Sequence, residues 1–267
     1  MLDITLGQYY PGNSFIHRLD PRTKILSTLL LIVAVFLANT AIGDAALCAM
    51  VLFIILVSGL PFMLVLKSVK PLLFIIVLTL VLHAVMGQGE HVLYQWKFIK
   101  VTEEGLQLGV QMAMRLILLL MISSILTFTT SPIVLTDGIE ALLRPFRVVG
   151  VPAHELAMMM TIALRFIPTL MEETDRIIKA QTARGADFSG GNLLVRAKNM
   201  LPILVPLFIS AFRRADELAT AMESRCYHGG EGRTRMKQLK FALRDYVTLV
   251  LFGLFLAAII VLRKIGT

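Results

Sequence analysis

The chain has 267 residues, of which 57% are hydrophobic and only 16% are charged, and its formal net charge is +8. Soluble domains average about 45–50% apolar residues, so this composition excludes an ordinary soluble protein and indicates segments that lie in lipid. The two cysteines, Cys48 in an apolar run and Cys226 in a basic one, suggest neither a disulfide framework nor redox chemistry.

The N-terminal segment, residues 1–24, lacks the basic start, short apolar run and small-residue cleavage site of a secretory signal. Arg18, Arg22 and Lys24 stand directly before the first apolar run. Because cytoplasmic loops are enriched in Lys and Arg, we expect this segment to lie in the cytoplasm.

Five apolar segments approach the length of about 20 residues that a membrane helix needs. They cover residues 25–37, 45–60, 71–86, 106–128 and 246–262. A short polar turn separates the first two, as is typical of a membrane hairpin. The sequence therefore predicts an all-α integral membrane protein, with helices one to four in residues 25–130 and the fifth helix with the C-terminus in residues 246–267.

Most of the 26 Lys and Arg residues lie between helices four and five, in residues 131–245. By the excess of positive charge on the cytoplasmic side, this region and the N-terminus are predicted to be cytoplasmic and the C-terminus to be outside. The region has the size of a domain. We expect a cytoplasmic α-helical domain inserted between the last two spans.

Two apolar stretches within that domain, 156–171 and 201–212, leave a second topology open. The first contains Arg165 and Pro168, and the second is short and contains two prolines. Such runs are typical of interfacial or buried helices. If both crossed the membrane, the chain would have seven spans and the termini would stay on the same sides.

The inserted domain is predicted to form two long helical arms, residues 153–184 and 201–225. Gly185 supplies a stop for the first arm, and the second is expected to end near Gly229 and Gly230. Each arm closes with an arginine among small residues, and the two arginines are 41 positions apart. An arginine there is favoured by the negative end of the helix dipole, and small neighbours allow a partner to approach closely.

These two similar tips, at Arg184 and Arg225, indicate two similar partners. The alternative is that both are ordinary solvated arginines at helix ends.

Several motifs in this chain are specific. They are Ala183-Arg184-Gly185, the stretch 206–219, the block 221–234 and the opening 17–24. Together they resemble the transmembrane T component (EcfT) of energy-coupling factor (ECF) transporters over almost the whole chain, and most closely the branch shared by several substrates.

The resemblance implies a coupling subunit of an ATP-driven ABC-type importer for vitamins or similar micronutrients in a bacterial cell membrane. It implies two ATP-binding cassette ATPase subunits as partners, together with an interchangeable substrate-binding membrane subunit. The residues implied to dock the ATPases are Ala183, Arg184, Gly185, Ser224, Arg225 and Cys226.

The second docking motif departs from the family pattern, because Ser224-Arg225-Cys226 stands in place of Ala-Arg-Gly. Serine is nearly as small as alanine, so close approach is preserved. A cysteine at a position that needs positive φ would be strained.

A run of three methionines, Met158, Met159 and Met160, offers an adaptable apolar surface for the substrate-binding subunit. The alternative interpretation is a core or lipid-facing stripe.

The chain shows no motif for catalysis or for ATP binding. The nearest approach to a phosphate-binding loop, 229–234, has Tyr227 where the first glycine should stand. We therefore expect a non-catalytic subunit without a cofactor of its own, in which ATP and Mg are bound by the partner ATPases. The histidines show no metal-ligand spacing; they are His17, His83, His91, His154 and His228.

Membrane lipid is a further expected partner and nucleic acid is not. A basic cluster before helix five suits anionic headgroups, and it lacks the interleaved aromatics that stack on bases. The cluster comprises Arg233, Arg235, Lys237, Lys240 and Arg244.

Two other classes remain as alternatives. A self-sufficient secondary transporter or channel predicts polar groups that converge within the spans, and a membrane-bound enzyme predicts an acidic, metal-binding or nucleophilic cluster near the membrane surface. Arg115 is the one charge well inside a span. We expect it to make a structural hydrogen bond or to face the substrate-binding subunit, because an unpaired charge in lipid is costly.

Overall fold

The computed structural model describes residues 8–86, 92–96, 99–186, 188, 190, 192–229 and 239–265. Predictions that concern His91, Gly230, Arg233, Arg235 and Lys237 lie outside the described residues. The described part of the chain divides into two compact units. Residues up to Gly138 and from Leu239 onward form the first unit, and Ile139–Gln238 belongs to the second.

The described residues are mainly helical, which confirms the all-α class. The helices are α1 (Pro21–Leu37), α2 (Ala41–Ser58), α3 (Phe62–Lys67), α4 (Leu73–Met86), α5 (Glu103–Thr129), α6 (Pro132–Leu143), α7 (Ala153–Ala183), α8 (Leu193–Glu223) and α9 (Leu243–Ile265). Short 3₁₀ turns occupy Lys70–Leu72 and Arg144–Val149. One feature was not predicted: an antiparallel hairpin of β1 (Val92–Trp96) and β2 (Ile99–Thr102) directly before α5.

Within the described ranges, four helical segments are long and apolar enough to cross a membrane. They are Ala41–Ser58, Phe62–Val85, Glu103–Thr129 and Leu243–Lys264, and they correspond to the second to fifth predicted spans. The helix α1 coincides with the first predicted span but has 17 residues. The count of five spans therefore stays a prediction.

The first unit has an apolar core formed by α1, α2, α5 and α9. Val35, Val51, Ile122 and Ile259 are among its most deeply buried members. Large apolar side chains also point outward, for example Phe74, which is 74% exposed. Such an apolar exterior suits contact with lipid rather than water.

Two cations in the first unit satisfy the carbonyls at helix ends. Lys24 Nζ donates to the carbonyl of Thr129 at the end of α5, over 2.8 Å. Arg115 Nη2 donates to the carbonyl of Ala38, the residue after α1, over 2.7 Å, and lies 3.3 Å from Asn39 Oδ1. A cation is favourable at a helix C-terminus, where carbonyls lack partners. The hydrogen bond expected for Arg115 is therefore present.

The start of α9 is fastened to the start of α1 by a buried carboxylate. Asp245 accepts hydrogen bonds from the backbone N–H groups of Asp20 and Ala242, each over 2.8 Å. Arg22 adds a hydrogen bond to the carbonyl of Leu239 and lies 5.0 Å over the ring of Phe241. The chain thus enters its last helix beside its first.

Candidate functional site

The two predicted arms are the helices α7 and α8 of the second unit. Each has 31 residues, and each continues through internal prolines, Pro168 in α7 and Pro202 and Pro206 in α8. The first arm ends as expected, while α8 begins eight residues before the predicted start. The predicted start coincides with the start of the apolar run at Leu201, whereas the eight helical residues before it include Arg196, Lys198 and Asn199.

The arms pack against each other in antiparallel orientation. Glu173 in α7 contacts Arg214 in α8, and the amide of Gln181 lies 3.5 Å from the carbonyl of Pro202. Moving forward along α7 therefore means moving backward along α8. Such a pairing follows from a short connection between consecutive helices.

The contact between the arms is polar at Glu173. Its Oε2 accepts a hydrogen bond from Arg214 Nη2 over 3.0 Å. A hydrogen bond from Ser210 holds the pKa of the Glu173 carboxyl below its usual value, and the Arg214 guanidinium acts in the same direction. The Ser210 hydroxyl also lies 3.5 Å from Arg214 Nε, so one serine bridges both charged partners.

The first arm ends in a tight, hydrogen-bonded cap. The N–H groups of Arg184 and Ala186 both donate to the carbonyl of Gln181, and the N–H of Gly185 donates to that of Thr182, each over 3.0 Å. Gly185 has φ 87°. This is a Schellman-type ending, in which a left-handed residue closes the helix.

The second arm ends in the same way. The N–H groups of Arg225 and Tyr227 donate to the carbonyl of Met222 over 3.1 and 3.0 Å, and the N–H of Cys226 donates to that of Glu223 over 2.9 Å. Cys226 has φ 56°, and it is the only residue other than glycine with positive φ in the described part of the chain. The arm therefore closes at Cys226, earlier than the predicted end near Gly229 and Gly230.

The two caps present their arginines alike. Each hydrogen bond of one cap has its counterpart 41 positions away in the other, from the same backbone atoms. All six predicted docking residues are solvent-exposed; they are Ala183, Arg184, Gly185, Ser224, Arg225 and Cys226. They form two separate tips rather than one composite site.

The predicted methionine surface lies in the first half of α7. Met159 and Met160 are 55% and 50% exposed, whereas Met158 is partly buried. A larger apolar surface on α8 was not predicted as a site. Its exposed members are Leu201, Leu204, Val205, Phe208, Ile209 and Phe212. The apolar run 201–212 is the available signal in the sequence, but the same pattern also fits an interfacial or buried helix.

No group of three or more potential metal ligands occurs among the described residues. Three of the described histidines make local hydrogen bonds, and His83 Nδ1 lies 2.8 Å from the carbonyl oxygen of Thr79. His154 in α7 pairs with Glu140 over 3.1 Å. His17 lies 2.7 Å from the hydroxyl of Ser14 and 3.0 Å from the carbonyl of Tyr10.

Comparison with known proteins gives consistent matches along the chain. Residues 12–236 match the family described as CbiQ, cobalt transport protein. The chain is 66% identical over 256 residues to the energy-coupling factor transporter transmembrane protein EcfT of Acidaminococcus fermentans, which covers 96% of this chain and 95% of the relative. It is 56% identical over 264 residues to the EcfT of Clostridium kluyveri, with 98% of this chain and 97% of the relative covered.

A third relative, the EcfT of Thermosediminibacter oceani, is 56% identical over 265 residues, which cover 99% of this chain and 100% of the relative.

Proposed function

The chain belongs to the cobalt transport protein family as a transmembrane component of an energy-coupling factor transporter, and we propose that it couples two ATPase subunits to a substrate-binding membrane subunit. It is a multi-pass membrane protein. In this proposal the chain is not catalytic and holds no cofactor, and ATP and Mg belong to the ATPases.

The observation that carries the proposal is the likeness of the two tips. Arg184 and Arg225 follow helices of the same length and sit in caps with the same hydrogen bonds. Two equivalent protrusions suit two partners of similar surface, such as a pair of ATPases. Each guanidinium is exposed and carries several donors in a planar fork, which suits insertion into a groove lined with carbonyl or carboxylate oxygens.

The exposed apolar side chains of α7 and α8 are the proposed contact surface for the substrate-binding subunit. Met159 and Met160 lie on the first arm and Phe208 and Phe212 on the second, all at least half exposed. On a domain that lies outside the membrane, as proposed for the arms, an exposed apolar surface of this kind is typical of a protein interaction site. Methionines adapt their shape to different partners, which favours an interchangeable subunit and uptake of vitamins or similar micronutrients.

The proposed orientation places the N-terminus and the second unit in the cytoplasm of a bacterium and the C-terminus outside. This follows from the concentration of Lys and Arg in residues 131–245. Lys240 and Arg244 are exposed at the start of α9, where anionic lipid headgroups are their expected partners.

Co-purification from the native membrane tests the coupling role. The unmodified chain, Arg184→Ala, Arg225→Ala and the double variant carry the same affinity tag, and mass spectrometry quantifies the proteins that accompany them. We expect two ATPases with the unmodified chain, a reduced yield with each single variant and none with the double variant. Arg165→Ala removes an exposed α7 arginine away from both tips and should retain the ATPases.

Absence of any ATPase from the unmodified complex would overturn the function and favour a self-sufficient transporter. Full retention of both ATPases by the double variant would instead overturn the assignment of the two arginines.

A further inference from the structure

The contact between the arms joins equivalent positions. Glu173 and Arg214 are 41 residues apart, the same interval that separates Arg184 from Arg225. Each contact residue therefore lies 11 positions before the arginine of its own arm. Ser210, which hydrogen-bonds to both members of the pair, has Thr169 as its counterpart on α7. Thr169 lines a groove together with Glu173 and Arg214.

An antiparallel pair that meets at equivalent positions has a local two-fold relation through the contact. The two tips are then equally far from it, at about 16 Å each for a rise of about 1.5 Å per residue. Because the helices are antiparallel, the tips lie at opposite ends of the pair and are separated by about 33 Å of helical rise.

The segments between the contact and the tips are free of helix breakers. Residues 173–184 and 214–225 contain neither Gly nor Pro, whereas Pro168 and Pro206 both lie before the contact. Kinks in helices occur mainly at proline. Each outer segment is therefore a rigid lever, and the distance between the tips depends on how the two levers are held at the contact.

We propose that the Glu173–Arg214 pair, with Ser210, is a positioning contact that sets the span between the two ATPase-docking tips. This inference rests on the proposed coupling function. The side chains of the pair are 26% and 36% exposed, and exposed ion pairs add little to stability. Loss of the Glu173–Arg214 ion pair should therefore leave both helices folded. The distance between the two tips should change.

The distance between spin labels at equivalent positions measures that geometry directly. Thr182→Cys and Glu223→Cys place one label before each tip on exposed residues, in a chain with Cys48→Ala and Cys226→Gly. The full transporter complex in lipid nanodiscs is the sample. We expect Glu173→Arg and Arg214→Glu each to shift or broaden the label distance by on the order of 5 Å, one helical turn.

The charge exchange Glu173→Arg with Arg214→Glu should restore the parent distribution, because the attraction is rebuilt with reversed polarity. Asp175→Arg is the matched control. It introduces the same charge change on an exposed residue of the same helix two positions away, about 200° around the helix axis, and should leave the distance unchanged.

Transport and ATPase retention are measured on the same variants. We expect the single reversals to keep bound ATPases but to lose most transport, with recovery in the exchanged chain. Unchanged distances in both single reversals, or an exchanged chain that stays shifted, would overturn the positioning role. If the label distance shifts but the purified complex contains no ATPases, the positioning contact is supported. The coupling function on which this inference rests is then wrong.

Discussion

Cys226 holds a left-handed backbone conformation at the point where the other arm has Gly185. With φ 56°, a side chain with a Cβ is disfavoured by about 1–2 kcal/mol. Glycine relieves that strain but is more flexible in the unfolded chain, which offsets part of the gain. We predict that Cys226→Gly stabilises the protein by about 0.5–1 kcal/mol, measured as a higher Tm of the purified chain in detergent.

The opposite change on the first arm is the control. At Gly185 a Cβ would meet nothing within 4 Å, but φ is 87°, so the cost of Gly185→Ala is confined to the backbone. Its Tm should fall. A Tm that is unchanged or lower in Cys226→Gly would mean that the cysteine is not strained in the native cap.

At the scale of the helix, the proposed role of the exposed apolar residues of α8 in binding the substrate-binding subunit can be tested by substitution. Phe212 is 68% exposed, and truncation or charging of an aromatic anchor is among the most costly changes in an interface. We predict that Phe212→Asp weakens binding of the substrate-binding subunit at least about tenfold while both ATPases stay bound. Quantitative mass spectrometry of the co-purified subunits measures the ratio.

Val148→Asp provides the comparison, because Val148 is 94% exposed in the same unit but lies outside both arms. It should leave the subunit ratio unchanged. If Phe212→Asp also leaves it unchanged, the apolar side chains of α8 are not the binding surface.

How well the sequence predicts each end of the two arms depends on which residues determine that end. The first arm was predicted almost to the residue because a Gly closes it. The start of α8 lies before the predicted start because Arg196, Lys198 and Asn199 interrupt the apolar pattern there, and tertiary context overrides such local signals. The two similar arginine tips were visible as a repeat. The Glu173–Arg214 contact was not, because a long-range register depends on how the loop between the arms folds back.

For the whole molecule, the number of membrane spans depends on whether the two arms cross the membrane. Both α7 and α8 are long enough to cross a membrane, with 31 residues each. Neither is among the described helices that are also apolar enough. Their apolar stretches continue directly into charged turns, at Glu172 in α7 and at Arg213 in α8. Charged residues deep in lipid are costly, so five spans are favoured over seven.

Three single-cysteine chains decide between these topologies, each built on Cys48→Ala. Native Cys226 is predicted inside by either topology. Lys264→Cys, which also carries Cys226→Gly, is predicted outside by either topology, so these two chains calibrate the assay. Thr182→Cys, with Cys226→Gly, lies inside if there are five spans, but outside if 156–171 and 201–212 both cross. We predict that a membrane-impermeant maleimide added to intact cells labels position 264 and leaves positions 182 and 226 unlabelled until the cells are opened. Labelling of position 182 in intact cells would establish the seven-span topology and would place Arg184 outside the cell, where a cytoplasmic ATPase cannot bind it.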